Sequence, residues 1–97
     1  MKVIVRETAE DDLDRIFAWI AKDNPRAAAA LVSRIRERIN RLELNPLAHM
    51  GRPGFVEGTR ELVEYPYVIV YKVFDERREI LVLSILHGAQ DRDNPDR

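Results

Sequence analysis

Apolar positions change period along this chain. Lys2 to Glu7 has the β-branched centre Val3-Ile4-Val5, which predicts a short first strand. Thr8-Ala9-Glu10-Asp11 has the form of a capping box, so a helix is expected to start there, with acids at the positive end of its dipole. Leu13, Ile16, Phe17 and Ile20 follow at i, i+3, i+4 and i+7, one stripe expected to face a sheet. Trp19 falls off that stripe. Asn24-Pro25 predicts a break and a second helix: asparagine caps well, and proline is tolerated in the first turn. Its apolar face is Ala28, Leu31, Val32, Ile35, Ile39 and Leu42, and it should end before Asn45-Pro46. The short break implies an antiparallel helical hairpin, with the alanines Ala27 to Ala30 allowing close approach.

Beyond the second helix the punctuation is glycine and proline. Residues 45 to 58 read as an exposed loop. Strands are predicted over Thr59 to Tyr65, Tyr67 to Phe74 and Glu79 to His87, joined by Pro66 and by the charged turn Asp75-Glu76-Arg77-Arg78. Both faces of the last strand are mostly apolar, Ile80, Val82 and Leu86 on one and Leu81, Leu83 and Ile85 on the other, which argues for a central place in the sheet. The polar tail Gln90 to Arg97 is expected to be loose. The order is β-α-α-β-β-β in one α+β domain covering 1–97.

Length sharpens this picture. A chain of 97 residues has room for one core, and a partner covering part of its surface is plausible from size alone. With 45% apolar and 34% charged residues it is too apolar for disorder and too interrupted by charge for a membrane span. No targeting segment is evident, and zero cysteines exclude disulfides and thiol chemistry while fitting a reducing cytoplasm. The net charge of -1 hides an asymmetry: residues 26 to 60 hold seven arginines against Glu37, Glu43 and Glu57. Solvated helix faces are the default reading of such charges.

Few residues suggest chemistry. Ser33 and Ser84 lie inside a helix and a strand without a nucleophile elbow, and structural serine is the stronger reading for both. His49 and His87 lack zinc-pair spacing and acidic company, so no metal site is expected, and Gly51-Arg52-Pro53-Gly54 reads as a turn. Metal-free RNA cleavage is the serious enzymatic candidate, needing only an acid, a base and cations; His87 with Arg52, Arg60 and Arg92 could supply these. Each also has a plain structural reading, which is favoured for any one of them singly. Arg34, Arg38 and Arg41 form a cationic stripe beside the apolar face of the second helix, solvent-facing or meeting an acidic partner or a nucleic-acid backbone. Tyr65, Tyr67 and Tyr71 fall on one alternating strand face, where core or groove lining is favoured over base stacking.

Taken in order, several pieces resemble the small toxins of the RelE/ParE superfamily. They are Ala9-Glu10-Asp11-Asp12-Leu13-Asp14-Arg15-Ile16, Leu42-Glu43-Leu44-Asn45-Pro46, Gly58-Thr59-Arg60-Glu61-Leu62, Pro66-Tyr67-Val68-Ile69-Val70-Tyr71 and Leu86-His87-Gly88-Ala89. The match is closest to the ParE branch. The resemblance implies a helical hairpin packed on a mainly antiparallel sheet, and a cytoplasmic toxin encoded beside an antitoxin. In the ParE branch the implied target is DNA gyrase, poisoned so that replication stalls; in the RelE branch it is mRNA on the ribosome. Ribonuclease members tend to carry an arginine where Val68 stands, a basic residue where Ala89-Gln90 stand, and often a C-terminal tyrosine or histidine, whereas no aromatic follows Phe74 here. The expected function is therefore a binding poison of gyrase, with a RelE-type ribonuclease using His87, Arg60 and Arg92, or an inactive antitoxin-binding relative, as alternatives.

The implied partner is a ParD-like ribbon-helix-helix antitoxin with an acidic amphipathic tail. Arg34, Arg38 and Arg41, with Trp19 as a buried anchor, are its expected contacts. Arg52, Arg60, Tyr71 and His87 are the expected target-binding residues. No cofactor, no metal, no membrane and no direct sequence-specific DNA binding by the toxin are expected.

Overall fold

A computed structural model describes residues 1–44 and 51–88. His49, Gln90, Arg92 and the predicted loose tail lie outside them. The elements are β1 (Lys2–Val5), α1 (Glu7–Ala21), α2 (Pro25–Arg41), β2 (Arg52–Pro53), β3 (Arg60–Glu64), β4 (Tyr67–Phe74), a 3-10 turn (Asp75–Arg77) and β5 (Glu79–His87). The five strands lie in the order β1-β5-β4-β3-β2. Only β1 runs parallel to its neighbour, β5, while the other pairings are antiparallel. The α+β hairpin-on-sheet architecture is the one the sequence predicts, and β5 does take a central position. The extra strand β2 falls in the stretch expected to be loop, and its Pro53 is tolerable because β2 lies at the sheet edge.

Asn24 caps α2 as expected, its side-chain oxygen accepting from the amide of Ala27 at 3.1 Å with Pro25 in the first turn. The cap of α1 differs from expectation. Arg6, extended at φ -63 and ψ 149, precedes the helix without a side-chain cap. Beyond Val82, β5 has no further partner in β1, so the chain turns to supply one: the Arg6 amide donates to the Val82 carbonyl at 3.0 Å. Thr8 then lies in the first turn, and its hydroxyl donates to the Leu83 carbonyl at 2.9 Å instead of accepting from Asp11. An unsatisfied strand edge outcompetes a local cap.

The same region bends β5. Val70 pairs with Ser84 and Tyr71 with Val82, so Leu83 is an extra residue and the alternation slips by one. Ile80 and Val82 face the helices before the bulge, and beyond it Ile85, not Leu86, shares their face.

The core lies between the helices and this sheet face. Leu13, Ile16, Leu31, Ile35, Ile39 and Leu42 pack against Leu62, Tyr67, Ile69, Tyr71, Ile80 and Val82. Each fully buried apolar side chain of this size contributes roughly 1.5 to 3 kcal/mol relative to exposure. Phe17 is a correction: it is 41% exposed, because the sheet reaches only the Leu13–Ile16 side of the predicted stripe. Tyr65 is another. At 86% exposure it stands in the turn before Pro66, whereas Tyr67 and Tyr71 are buried. Among the described residues no helix is long and apolar enough to cross a membrane.

Candidate partner-binding surfaces

Three hollows take in part of the exposed apolar surface, including Phe17, Trp19, Val63 and Tyr65. The first is a groove of about 560 Å³ along the hairpin, on the side turned from the sheet. Phe17 of α1 and Ala29 and Val32 of α2 form its floor, while Arg36, Glu37 and Arg41 stand along it. Helix periodicity makes it: α2 sends Ala28, Leu31 and Ile35 inward, so Ala29 and Val32, one position on from each buried residue, fall on the flank facing α1. Arg36 is clamped there by Glu10, with Nη1–Oε1 and Nη2–Oε2 distances of 3.2 and 2.8 Å. That fork holds the Glu10 carboxyl below its ordinary value and raises the Arg36 guanidinium, against the opposing effect of burial.

The second surface is a cleft of about 520 Å³ where the hairpin meets the sheet end. Trp19, 69% exposed, forms one wall, and Pro66, Tyr67 and His87 form the other. The His87 ring meets the Tyr67 ring edge-on, with centroids 5.4 Å apart and planes at 86°. Lys22 lies over the Trp19 ring at 5.4 Å. His87 also borders the third hollow, about 350 Å³, on the other side of the sheet with Arg52, Val63, Tyr65 and Val68.

The residues expected to bind an antitoxin are not gathered in one place. Arg34 and Arg38 both reach Glu64 of β3, at 3.3 and 3.5 Å, and tie α2 to the sheet. Arg41 lines the hairpin groove, and Trp19 stands in the cleft. The expected target-binding set is likewise divided. Tyr71 is fully buried, and its hydroxyl accepts from the Gly51 amide at 3.1 Å. Arg60 donates to the Gly51 carbonyl, and Arg52 reaches the carboxylate of Glu61 at 3.3 Å. Arg52 and His87 do share the third hollow. Arg60 and His87 do not meet: they pair with Tyr71 and Tyr67, roughly 13 Å apart along β4. The described residues therefore do not assemble the ribonuclease set His87 and Arg60, and Arg92 lies outside them.

Phe17 and Val32 are groove residues that the sequence assigned to the apolar helix faces, Arg36 is one to which it gave no role, and the buried Glu61 carried no distinguishing signal. A helical stripe wider than the sheet it packs on was the available clue for Phe17.

A helical hairpin on one face of a five-stranded mixed sheet is an architecture this chain shares with solved chains of toxin-antitoxin systems. The sequence model of the ParE toxin of type II toxin-antitoxin systems, parDE, matches residues 3–92, and the chain belongs to that family. It is 41% identical over 80 residues to the candidate toxin Y4kP of Sinorhizobium fredii (strain NBRC 101917 / NGR234), covering 80% of this chain and 78% of that one. Among solved structures it is similar to a chain of the chromosomal ParDE toxin-antitoxin system from P. aeruginosa, with a TM-score of 0.75 and 28% identity over 90% of this chain and 95% of that one. It also resembles a chain of the toxin-antitoxin complex RelBE2 from Mycobacterium tuberculosis, with a TM-score of 0.58 and 26% identity over 89% of this chain and 95% of the other. The protein is a type II toxin-antitoxin toxin.

Proposed function

We propose that this toxin acts by binding DNA gyrase and blocking replication in the cytoplasm, and that a ParD-like antitoxin silences it by laying an amphipathic helix in the hairpin groove. The observation that carries the antitoxin reading is the groove itself, with an apolar floor of Phe17, Ala29 and Val32 between polar walls. An amphipathic helix docks in such a groove through anchors at i, i+3 and i+4, and its acids complement Arg41 on the rim. Similarity to a chain of a ParDE system supports a ParD-like partner. For the target, family membership supports gyrase, and the separation of Arg60 from His87 weighs against a ribonuclease centre.

The test has two arms. Co-expression with a ribbon-helix-helix protein encoded next to this one should restore growth, and Val32→Glu in the toxin should weaken the complex by about tenfold or more. Purified toxin should inhibit gyrase supercoiling and trap cleaved DNA, while leaving ribosome-bound mRNA intact. Codon-positioned mRNA cleavage without any effect on gyrase would reject the gyrase reading.

A further inference from the structure

The segment between β2 and β3 is fixed more firmly than a connection requires. Gly54 donates to the Thr59 carbonyl at 2.8 Å, and the Val56 carbonyl accepts from the Thr59 amide and hydroxyl at 3.1 and 2.6 Å. Gly58 turns the chain at φ +85, a left-handed conformation suited to glycine. Glu61 lies beneath, only 3% exposed, and its two carboxylate oxygens receive Arg52 at 3.3 Å and the Phe55 amide at 2.9 Å. A buried carboxylate is tolerated only when its partners are good, and here Arg52 of β2 and the Phe55 amide of the loop are among them. On this braced backbone Phe55 and Val56 stand outward, each 65% exposed, with Glu57 exposed beside them.

We propose that residues 52–59 form a finger that engages the toxin's protein target. Phe55 and Val56 enter an apolar pocket, and Glu57 meets a basic group at its rim. The proposal rests on reading the chain as a toxin that acts by binding a protein. Preorganisation supports it: a loop already ordered loses little conformational entropy on docking, and an aromatic beside an aliphatic residue makes an effective central anchor. Nucleic acid is disfavoured as the occupant. Arg52 and Arg60 are directed to Glu61 and to the Gly51 carbonyl, and the tip itself carries a carboxylate that repels phosphate. The antitoxin helix is disfavoured as well, because the hairpin groove lies in the helical layer and the finger extends from the β2 edge of the sheet.

The experiment compares full-length wild type, Phe55→Ser/Val56→Ser and Glu57→Lys for gyrase affinity by surface binding, thermal melting and antitoxin affinity. The double variant should bind gyrase at least about tenfold more weakly, with melting and antitoxin affinity unchanged. Glu57→Lys should slow association at low salt and approach wild type at high salt. Wild-type gyrase affinity in both variants overturns the finger and leaves the gyrase reading standing. If wild-type toxin itself does not bind gyrase, that reading falls, and growth arrest on expression decides the finger: loss of arrest in the double variant supports it, and undiminished arrest overturns it. If the double variant melts early, Glu57→Lys alone decides by the same criteria. Self-association of wild type that is abolished in the double variant would make the tip a contact between copies and overturn the proposal.

Discussion

The carboxylate of Asp12 accepts the backbone amide of Ile85 at 2.9 Å, joining the first helix to the last strand across 73 residues. It lies where β1 has ended, so the side chain takes the place of a missing strand neighbour, following Arg6 on Val82 and Thr8 on Leu83. Arg15 pairs with the same carboxylate, which is only 13% exposed. Asp12→Ala leaves a shielded amide without its acceptor and should cost about 1 to 3 kcal/mol. Asp12→Asn keeps an acceptor and should cost less. Urea unfolding midpoints of the two variants check this; equal losses would mean that charge, not the strand-edge hydrogen bond, matters.

Gly51 is fixed by close approach. A Cβ there would lie 2.6 Å from both the Glu61 carbonyl oxygen and the Tyr71 hydroxyl. One obstacle is backbone and the other is a fully buried ring, so neither yields easily. Gly51→Ala should therefore destabilise by about 1 to 3 kcal/mol. Tyr71→Phe removes the acceptor of the Gly51 amide and should cost a similar amount, about 1 to 3 kcal/mol. If Gly51→Ala melts like wild type, the Gly51 to Tyr71 contact is looser than its geometry implies.

Along α1, Leu13 and Phe17 should respond in opposite ways to truncation. Leu13 is 1% exposed within the core, and Leu13→Ala should cost about 2 to 5 kcal/mol. Phe17 is 41% exposed, so Phe17→Ala should cost about 1 kcal/mol of stability while weakening antitoxin capture in the groove. Thermal melts and antitoxin titration of both variants decide. A larger melting loss for Phe17→Ala than for Leu13→Ala would show that the ring is buried in solution.

These contrasts mark what the sequence could reveal. Period alone placed both helices and β3 to β5, because the Leu31, Ile35, Ile39 spacing and the alternation through Ile69 and Tyr71 are local signals. Asn24-Pro25 announced a cap for the same reason. Thr8 misled because its rival acceptor, the Leu83 carbonyl, is 75 residues away. The Leu83 bulge moved Ile85 inward by an equally non-local cause. For the candidate surfaces, Trp19 was legible as off the core stripe. Arg34 and Arg38 were legible as cations but not as partners of Glu64, since pairing across elements leaves no trace in spacing.

The Glu10–Arg36 fork makes the hairpin sensitive to acid. Arg36 hydrogen bonding, opposed by burial and aided by the charge of Arg36, holds the Glu10 carboxyl below its ordinary 4.5. The folded state then binds fewer protons than the unfolded chain in that region, so stability rises with pH there. The contribution is fully present above 4.5 and is lost as pH falls through the depressed folded value. With the two side chains 44% and 41% exposed, solvent screening limits it to within about 1 kcal/mol. Other carboxylates titrate in the same range, which makes the difference between wild type and Glu10→Gln the informative quantity. Denaturant unfolding of both from about pH 6 to about pH 3 should show wild type ahead at the upper end and the two converging at the lower, with added salt shrinking the gap. A gap that stays constant with pH would mean that glutamine fails by packing and that the ion pair contributes nothing to holding α1 against α2.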